Sequence, residues 1–242
     1  MFERFGVLAC IYLAAQSGVG SAADGVLPAP KTVARQVQDV EGWKVHVDRQ
    51  LLDGPHAELG TQALRVLAFK LYEVKQLVAP DRVEKLQRVP IFLDLSDPRL
   101  KAMQYHPSVG WLKANGHDPA LARVVHLPQA ADLVSRLPLN RQPMVILHEL
   151  AHGYHDQVLG FDDQRIQEAW ARFKDSGKYE QALHITGKQI RHYGLMNHKE
   201  FFAEMTEAYF GTNDFYPFVR AELRKELPDV YKLLEEIWGA VR

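Results

Sequence analysis

The chain reads as one α+β domain in which a small mixed sheet precedes a mostly helical C-terminal part. Three observations predict it. Short alternating or β-branched segments lie before residue 128, helical apolar spacing covers residues 143–159 and most of the last third, and no repeat or low-complexity tract interrupts the 242 residues. Hydrophobic residues make up 47% and charged residues 24%, which is enough apolar material for a core and too much for a disordered chain. The formal charge of −1 supplies no global field for nucleic acid or an anionic membrane surface, so neither is expected as a partner.

Taken in order, Phe5 to Ala15 form a short apolar run followed by the small and polar residues Gln16 to Ala23. This is the pattern of a secretory signal peptide over residues 1–23. The run is short for a bilayer span, which needs about 20 residues. Because Glu3 offsets Arg4, a buried or anchoring N-terminal helix is the rival reading. Cleavage would leave residues 24–242 as a secreted or periplasmic domain with no stable membrane insertion. It would also remove Cys10, the only cysteine, so neither disulfides nor a cysteine-ligated metal can hold the domain together.

A proline-containing linker, Leu27 to Lys31, leads to a strand at Trp43 to Val47, where apolar and polar residues alternate. Leu64, Leu67, Leu71, Val74 and Leu77 recur at helical spacing and predict an amphipathic helix over Glu58 to Val78. Val89 to Leu95 and Arg123 to Leu127 are further strands, the second readable as a core strand or as an edge along which an extended peptide adds. Tyr105 to Trp111 between them is loop-like. Pro143 to Leu159 is a nearly continuous apolar helix stopped by Gly160, and Thr186-Gly187 marks a hairpin within the helical last third. Asn213 to Phe218 is a turn that packs its aromatic residues under the final helices.

Chemistry enters inside the apolar helix, at His148-Glu149-Leu150-Ala151-His152. Two histidines four positions apart project from one helix face, one turn apart, within reach of a single cation. Glu149 lies about 100° round the helix, where it can address a metal-bound water without being a ligand. Titratable groups in an apolar run are costly to bury unless something pairs with them, and a divalent ion does so. The bland alternative is a core helix with hydrogen-bonded histidines.

A hydrolytic zinc site needs a third protein ligand and one open position. His155 lies on the same face, but three histidines of one rigid helix do not easily converge on one ion, so it is expected behind the ligands or in the cleft. On a later helix, Asn197 to Phe210, the residues Glu200, Glu204 and Glu207 form an acidic stripe beside an apolar one. Like charges at that spacing repel unless a cation and its histidines face them. One glutamate would then bind the ion, and the residue four positions on would accept the other ring N–H of a ligand histidine; the rival is a solvated acidic face. Glu168 is a weaker candidate on an ordinary surface helix, Asp162 to Lys174.

The histidine motif followed by Tyr193-Gly194-Leu195-Met196-Asn197-His198-Lys199-Glu200-Phe201-Phe202-Ala203-Glu204 resembles the gluzincin zinc metallopeptidases, most closely the catalytic domain of anthrax lethal factor. The resemblance covers residues 144 to 210 and implies a zincin-like domain with Glu200 as third ligand. It further implies Glu204 behind the ligands and Tyr193 as a catalytic hydroxyl.

The expectation is a secreted metallopeptidase that holds one Zn2+ through His148, His152 and Glu200, uses Glu149 as general base and acts on peptide or protein substrates. Manganese, iron or cobalt would suit the same donors. Two rivals stand beside it: a metal-dependent amidase acting on a non-peptide amide, and a catalytically silent, metal-stabilised binding module. Glu149 and the missing fourth protein ligand count against the last, since structural zinc usually closes its shell.

Overall fold

In the computed structural model, residues 33–135 and 140–241 are described. The signal peptide over residues 1–23, Cys10 within it and the linker Leu27 to Lys31 lie outside the described residues. Five strands form one sheet in the order β1 (Arg35–Val40), β2 (Trp43–Asp48), β3 (Ile91–Leu93), β5 (Val125–Leu127), β4 (Gln104–Tyr105). The pairs β2–β3 and β3–β5 are parallel, whereas β1–β2 and β5–β4 are antiparallel, so the sheet is mixed.

Each strand follows its side-chain alternation. Trp43, Val45 and Val47 are fully buried, as are Ile91, Leu93, Val125 and Leu127, and together they line the face that packs on the helices. The opposite face carries His46 stacked on Phe92, with ring centroids 4.4 Å apart. A second apolar cluster of Phe92, Leu100, Leu112, Leu121 and Val124 covers part of it. β3 and β5 are buried on both faces; β3 accordingly is apolar throughout, whereas β5 sets His126 between Val125 and Leu127.

The expected strands shorten in the structure. Only Ile91 to Leu93 of the segment Val89–Leu95 forms strand; the Asp94 N–H still donates to the Leu127 carbonyl at 3.0 Å, and its side chain meets Arg35 and His126. Arg123 takes a positive φ of 62° and bulges out before β5 begins. β5 lies between β3 and β4, which settles the Arg123–Leu127 segment as an inner strand. The edge on that side is β4, which ends at the first residue of the stretch read as a loop, and the same stretch starts a helix, α3 (Val109–Ala114), whose first turn is capped by Ser108 accepting from the Trp111 N–H.

Helix α1 (Ala57–Leu77) buries Gly60, Ala63, Leu67, Leu71 and Val74 at spacings of three and four. Gly60 is needed there because a Cβ would fall 1.8 Å from the Leu51 carbonyl oxygen. After α2 (Pro80–Leu86) and α4 (Ala130–Val134) comes α5 (Val145–Tyr154), buried along its whole length. It ends earlier than its apolar run: His155–Leu159 form a π-helical turn, and Gly160, at φ 86°, stops it. α6 (Gln164–Asp175) is the expected surface helix, capped by Asp163. The hairpin of β6 (Ala182–Leu183) and β7 (Gln189–Ile190) turns through Gly187 at φ 80°. Then come α7 (His198–Phe210), α8 (Arg220–Glu226) and α9 (Pro228–Trp238). Among the described residues, no helix is long and apolar enough to cross a membrane.

Candidate metal centre

α5 and α7 pack against each other within the main core, so polar groups on their shared face meet without water. Glu200, Glu204 and Glu207 are only 1, 1 and 0% exposed, which removes the reading of a solvated acidic face. Asn197 starts α7 by accepting from the N–H groups of Lys199 and Glu200, both at 2.9 Å, and thereby fixes the helix turn that carries the Glu200 side chain.

One oxygen of that side chain faces both histidines of the motif. Glu200 Oε2 lies 3.3 Å from His148 Nε2 and 3.2 Å from His152 Nε2. The two rings are 4.8 Å apart and nearly perpendicular, at 81°. Ligand atoms on a tetrahedral zinc, each about 2.0–2.2 Å from the ion, stand about 3.3 Å from one another. These separations are of that size, and the donor set of two imidazoles and a carboxylate suits a divalent metal. Burial alone would push the Glu200 carboxyl up, but His152 and His148 beside it hold it down to about 2.

The second nitrogen of His148 is also engaged. Nδ1 lies 2.6 Å from Glu207 Oε1, a short charge-assisted contact that, with a cation bound, would hold the ring proton on Nδ1 and leave Nε2 to ligate. Burial disfavours a charged His148, yet its hydrogen bonds to Glu200 and Glu207 outweigh it and raise the pKa well above that of free histidine. Burial pushes Glu207 up to about 7 against the opposing bond from His148.

This corrects the expectation for Glu204. The ring N–H of His148 goes to the residue two turns beyond Glu200, not one turn beyond. Glu204 instead has its Oε2 3.9 Å from His192 Nδ1 and without a hydrogen-bond partner. Burial, then Asp214 and Glu207, keeps its pKa well above the usual carboxylate value. His155, expected behind the ligands or in the cleft, makes no hydrogen bond to a ligand residue. Its ring packs among Phe161, Phe202 and His198, neither nitrogen has a hydrogen-bond partner, and burial lowers its pKa to about 3. Glu168 is exposed on α6, away from the buried triad.

Glu149, one residue along from His148, accepts a hydrogen bond at Oε2 from the Tyr105 N–H of β4 at 2.7 Å. The edge strand is therefore bound directly to the glutamate of the motif, a link that two residues of strand gave no periodic signal to reveal. Tyr193 opens a short 3₁₀ turn, Tyr193–Leu195, just before α7. That turn is pinned by His192 Nδ1 accepting from the Gly194 N–H at 2.9 Å and by Trp170 Nε1 donating to the Gly194 carbonyl at 3.0 Å.

Comparison with known proteins adds one finding. Residues 132–238 match the family model described as glucose-regulated metallo-peptidase M90, a span that holds the histidine pair, Glu149, Tyr193 and the three glutamates of α7. No curated protein and no solved structure matches the chain.

Proposed function

From the match of residues 132–238 to the M90 metallopeptidase model and the meeting of two histidines with Glu200, we infer that this chain is a metallopeptidase, and so a hydrolase, that uses zinc to cleave peptide bonds in peptide or protein substrates. The observation that carries the reading is the meeting of His148 Nε2, His152 Nε2 and Glu200 Oε2 from two helices some fifty residues apart in the chain. These three would hold the ion, which when bound supplies Lewis acidity at a carbonyl and acidifies water toward a pKa of about 7.

The remaining steps belong to the protein. Glu207 keeps the His148 proton on Nδ1, so that Nε2 remains a donor of its lone pair. Glu149, oriented by the Tyr105 N–H, takes the proton of the attacking water and delivers it to the leaving amine. Tyr193, on its pinned turn, donates a hydrogen bond to the oxyanion as the carbonyl carbon becomes tetrahedral, a role supported by its place seven residues before Glu200 and by the gluzincin resemblance. Residues 1–23 direct the domain out of the cytoplasm, a reading that rests on their sequence pattern.

Glu149→Gln tests the assignment. It should keep one zinc per chain and lose about 10²–10⁴-fold in turnover on a mixed peptide library. Peptides left intact by the unaltered chain under every metal condition would favour a metal-stabilised binding module instead.

A further inference from the structure

Tyr105 touches the helix of the metal centre twice, once through its backbone and once through its side chain. Because β4 is an antiparallel edge strand, its residues alternate between bonding inward and facing out. His106, just past the strand, bonds inward: its N–H donates to the Val124 carbonyl at 3.3 Å and its carbonyl accepts from the Arg123 N–H at 2.6 Å. The Tyr105 N–H is the outward one, and Glu149 Oε2 takes it at 2.7 Å. Yet β4 pairs with β5 only at Gln104 and Tyr105, so the ladder by itself is a weak hold on the group that orients Glu149.

The side chain supplies the second hold. Its buried ring lies across α5 at Gly153, where a Cβ would come within 3.4 Å of the ring carbon Cε2 and within 2.8 Å of Val89 Cγ2. The hydroxyl donates to Asp156 Oδ2 at 2.6 Å and accepts from Gln157 Nε2 at 3.0 Å. Burial, and then Asp156, push the phenol's pKa up, so the hydroxyl keeps its proton and remains the donor. Gln157 Nε2 also donates to the Arg123 carbonyl at 3.2 Å, and the exposed Arg123 side chain brings its Nε to 3.5 Å from Asp156 Oδ2. Glu149, Gly153 and Asp156 follow at spacings of four and three, one stripe that runs from α5 into its π-helical turn and rises about 10 Å. All three meet Tyr105.

We propose that Asp156 is a positioning residue for the general base: by holding the Tyr105 hydroxyl it fixes the N–H on which Glu149 is aimed. The proposal rests on the peptidase reading of the triad and adds to it a residue two turns beyond the motif. A strand residue tied to one helix at two points cannot slide along it. With the hydroxyl released, the short strand shifts against α5 and draws Glu149 off its line to the attacking water, and a misplacement of about 1 Å at a reacting group costs up to about a hundredfold in rate. The pair of Asp156 with the exposed Arg123 has no such reach, since an ion pair in solvent contributes little and does not touch Glu149.

Kinetics of the zinc-loaded full chain on a library peptide that it cleaves provide the test. Tyr105→Phe, which removes only the hydroxyl, and Asp156→Ala should each lower kcat about tenfold, with KM and zinc content unchanged. Asp156→Asn keeps an oxygen that accepts from the phenol and should retain most of kcat. Adding Tyr105→Phe to Asp156→Ala should cost nothing more, since both remove one bond. Val74→Ala, a core truncation on α1, is the stability control: it should lower Tm yet leave kcat at that of the unaltered chain. The proposal is overturned if Tyr105→Phe and Asp156→Ala lower Tm but keep kcat, if their loss falls on KM, or if Asp156→Asn is as slow as Asp156→Ala. Should the unaltered chain cleave no peptide, the peptidase reading fails, and residue-resolved hydrogen exchange decides the geometry by itself. The N–H of position 105 should then exchange about tenfold faster in Tyr105→Phe and Asp156→Ala, and equal rates would show that Asp156 does not hold it.

Discussion

Two groups of histidines among the described residues differ in what surrounds them. In the α5–α7 group, His148 has a carboxylate at each ring nitrogen and His152 shares one of them. Under the cover of the sheet, His106, His117 and His126 gather around Trp111, which stacks on His117 at 5.3 Å and on His106 at 6.4 Å. There Asp94 lies 3.0 Å from His126 Nε2, and Arg35 already neutralises it with hydrogen bonds of 2.7 and 2.6 Å. His106 Nε2, His117 Nδ1 and His126 Nδ1 have no hydrogen-bond partner. Among the described residues these three rings do not bring their nitrogens around one point, whereas His148, His152 and Glu200 bring their ligand atoms together, and the buried negative charge of α7 beside them is costly until a cation balances it.

The sharpest way to break this contrast is a zinc titration of single variants. Glu200→Ala should weaken zinc binding by more than about a hundredfold, since it removes a direct donor. Glu207→Gln should cost about 10–100-fold by freeing the His148 ring, more than Glu204→Gln does. His106→Ala should leave the affinity unchanged. An effect of Glu204→Gln larger than that of Glu207→Gln would reassign the partner of His148, and a loss on His106→Ala would merge the two groups.

The groups should also answer pH with opposite signs in chelated protein. Burial lowers His106 to about 3, as it does His155 and His192. The unfolded chain protonates these rings near 6.5, so their contribution to stability is complete above 6.5 and is lost as pH falls toward 3. Between pH 7 and 5 the loss is up to about 2 kcal/mol for each ring, a figure set by the unfolded pKa alone. His148, whose pKa is raised, contributes fully below 6.5 and loses that contribution as pH rises. Thermal melts of His106→Leu should therefore fall less steeply from pH 7 to 5 than those of the unaltered chain; equal slopes would mean that the ring is protonated or solvated in the fold.

Much of the metal side was legible because its signals are local. Spacing of four between His148 and His152 and the acidic stripe of α7 are both read within one or two turns of helix. What escaped depends on how elements cross. The stripe offers Glu204 and Glu207 at different heights along α7, and only the packing of α5 on α7 decides which meets His148. His155 shares a face with His148 on an ideal helix, but the chain widens into a π-helical turn at that residue and carries the ring away to Phe161 and Phe202. β1 and β4 were missed for another reason: Arg35 to Val40 is mostly solvent-facing, and Gln104–Tyr105 is too short to show a period. The family match covers residues 132–238 and leaves out the five-stranded sheet with the histidines on its outer face.

The smallest effect expected is at the join between fold and site. Asn197 Oδ1 satisfies two N–H groups at the start of α7, one of them that of Glu200 itself. Asn197→Ala removes a cap worth about 1 kcal/mol, and a lower midpoint in urea with an unchanged slope would measure it. Because the first turn of α7 then frays around a ligand residue, zinc affinity should fall as well, though by less than for Glu207→Gln. Asn197→Asp keeps the acceptor and adds charge at a helix N-terminus, so it should restore both stability and affinity. If Asn197→Ala lowers stability while zinc affinity holds, Glu200 is positioned by its packing between the two histidines rather than by the cap, and the triad is stiffer than the helix end that carries it.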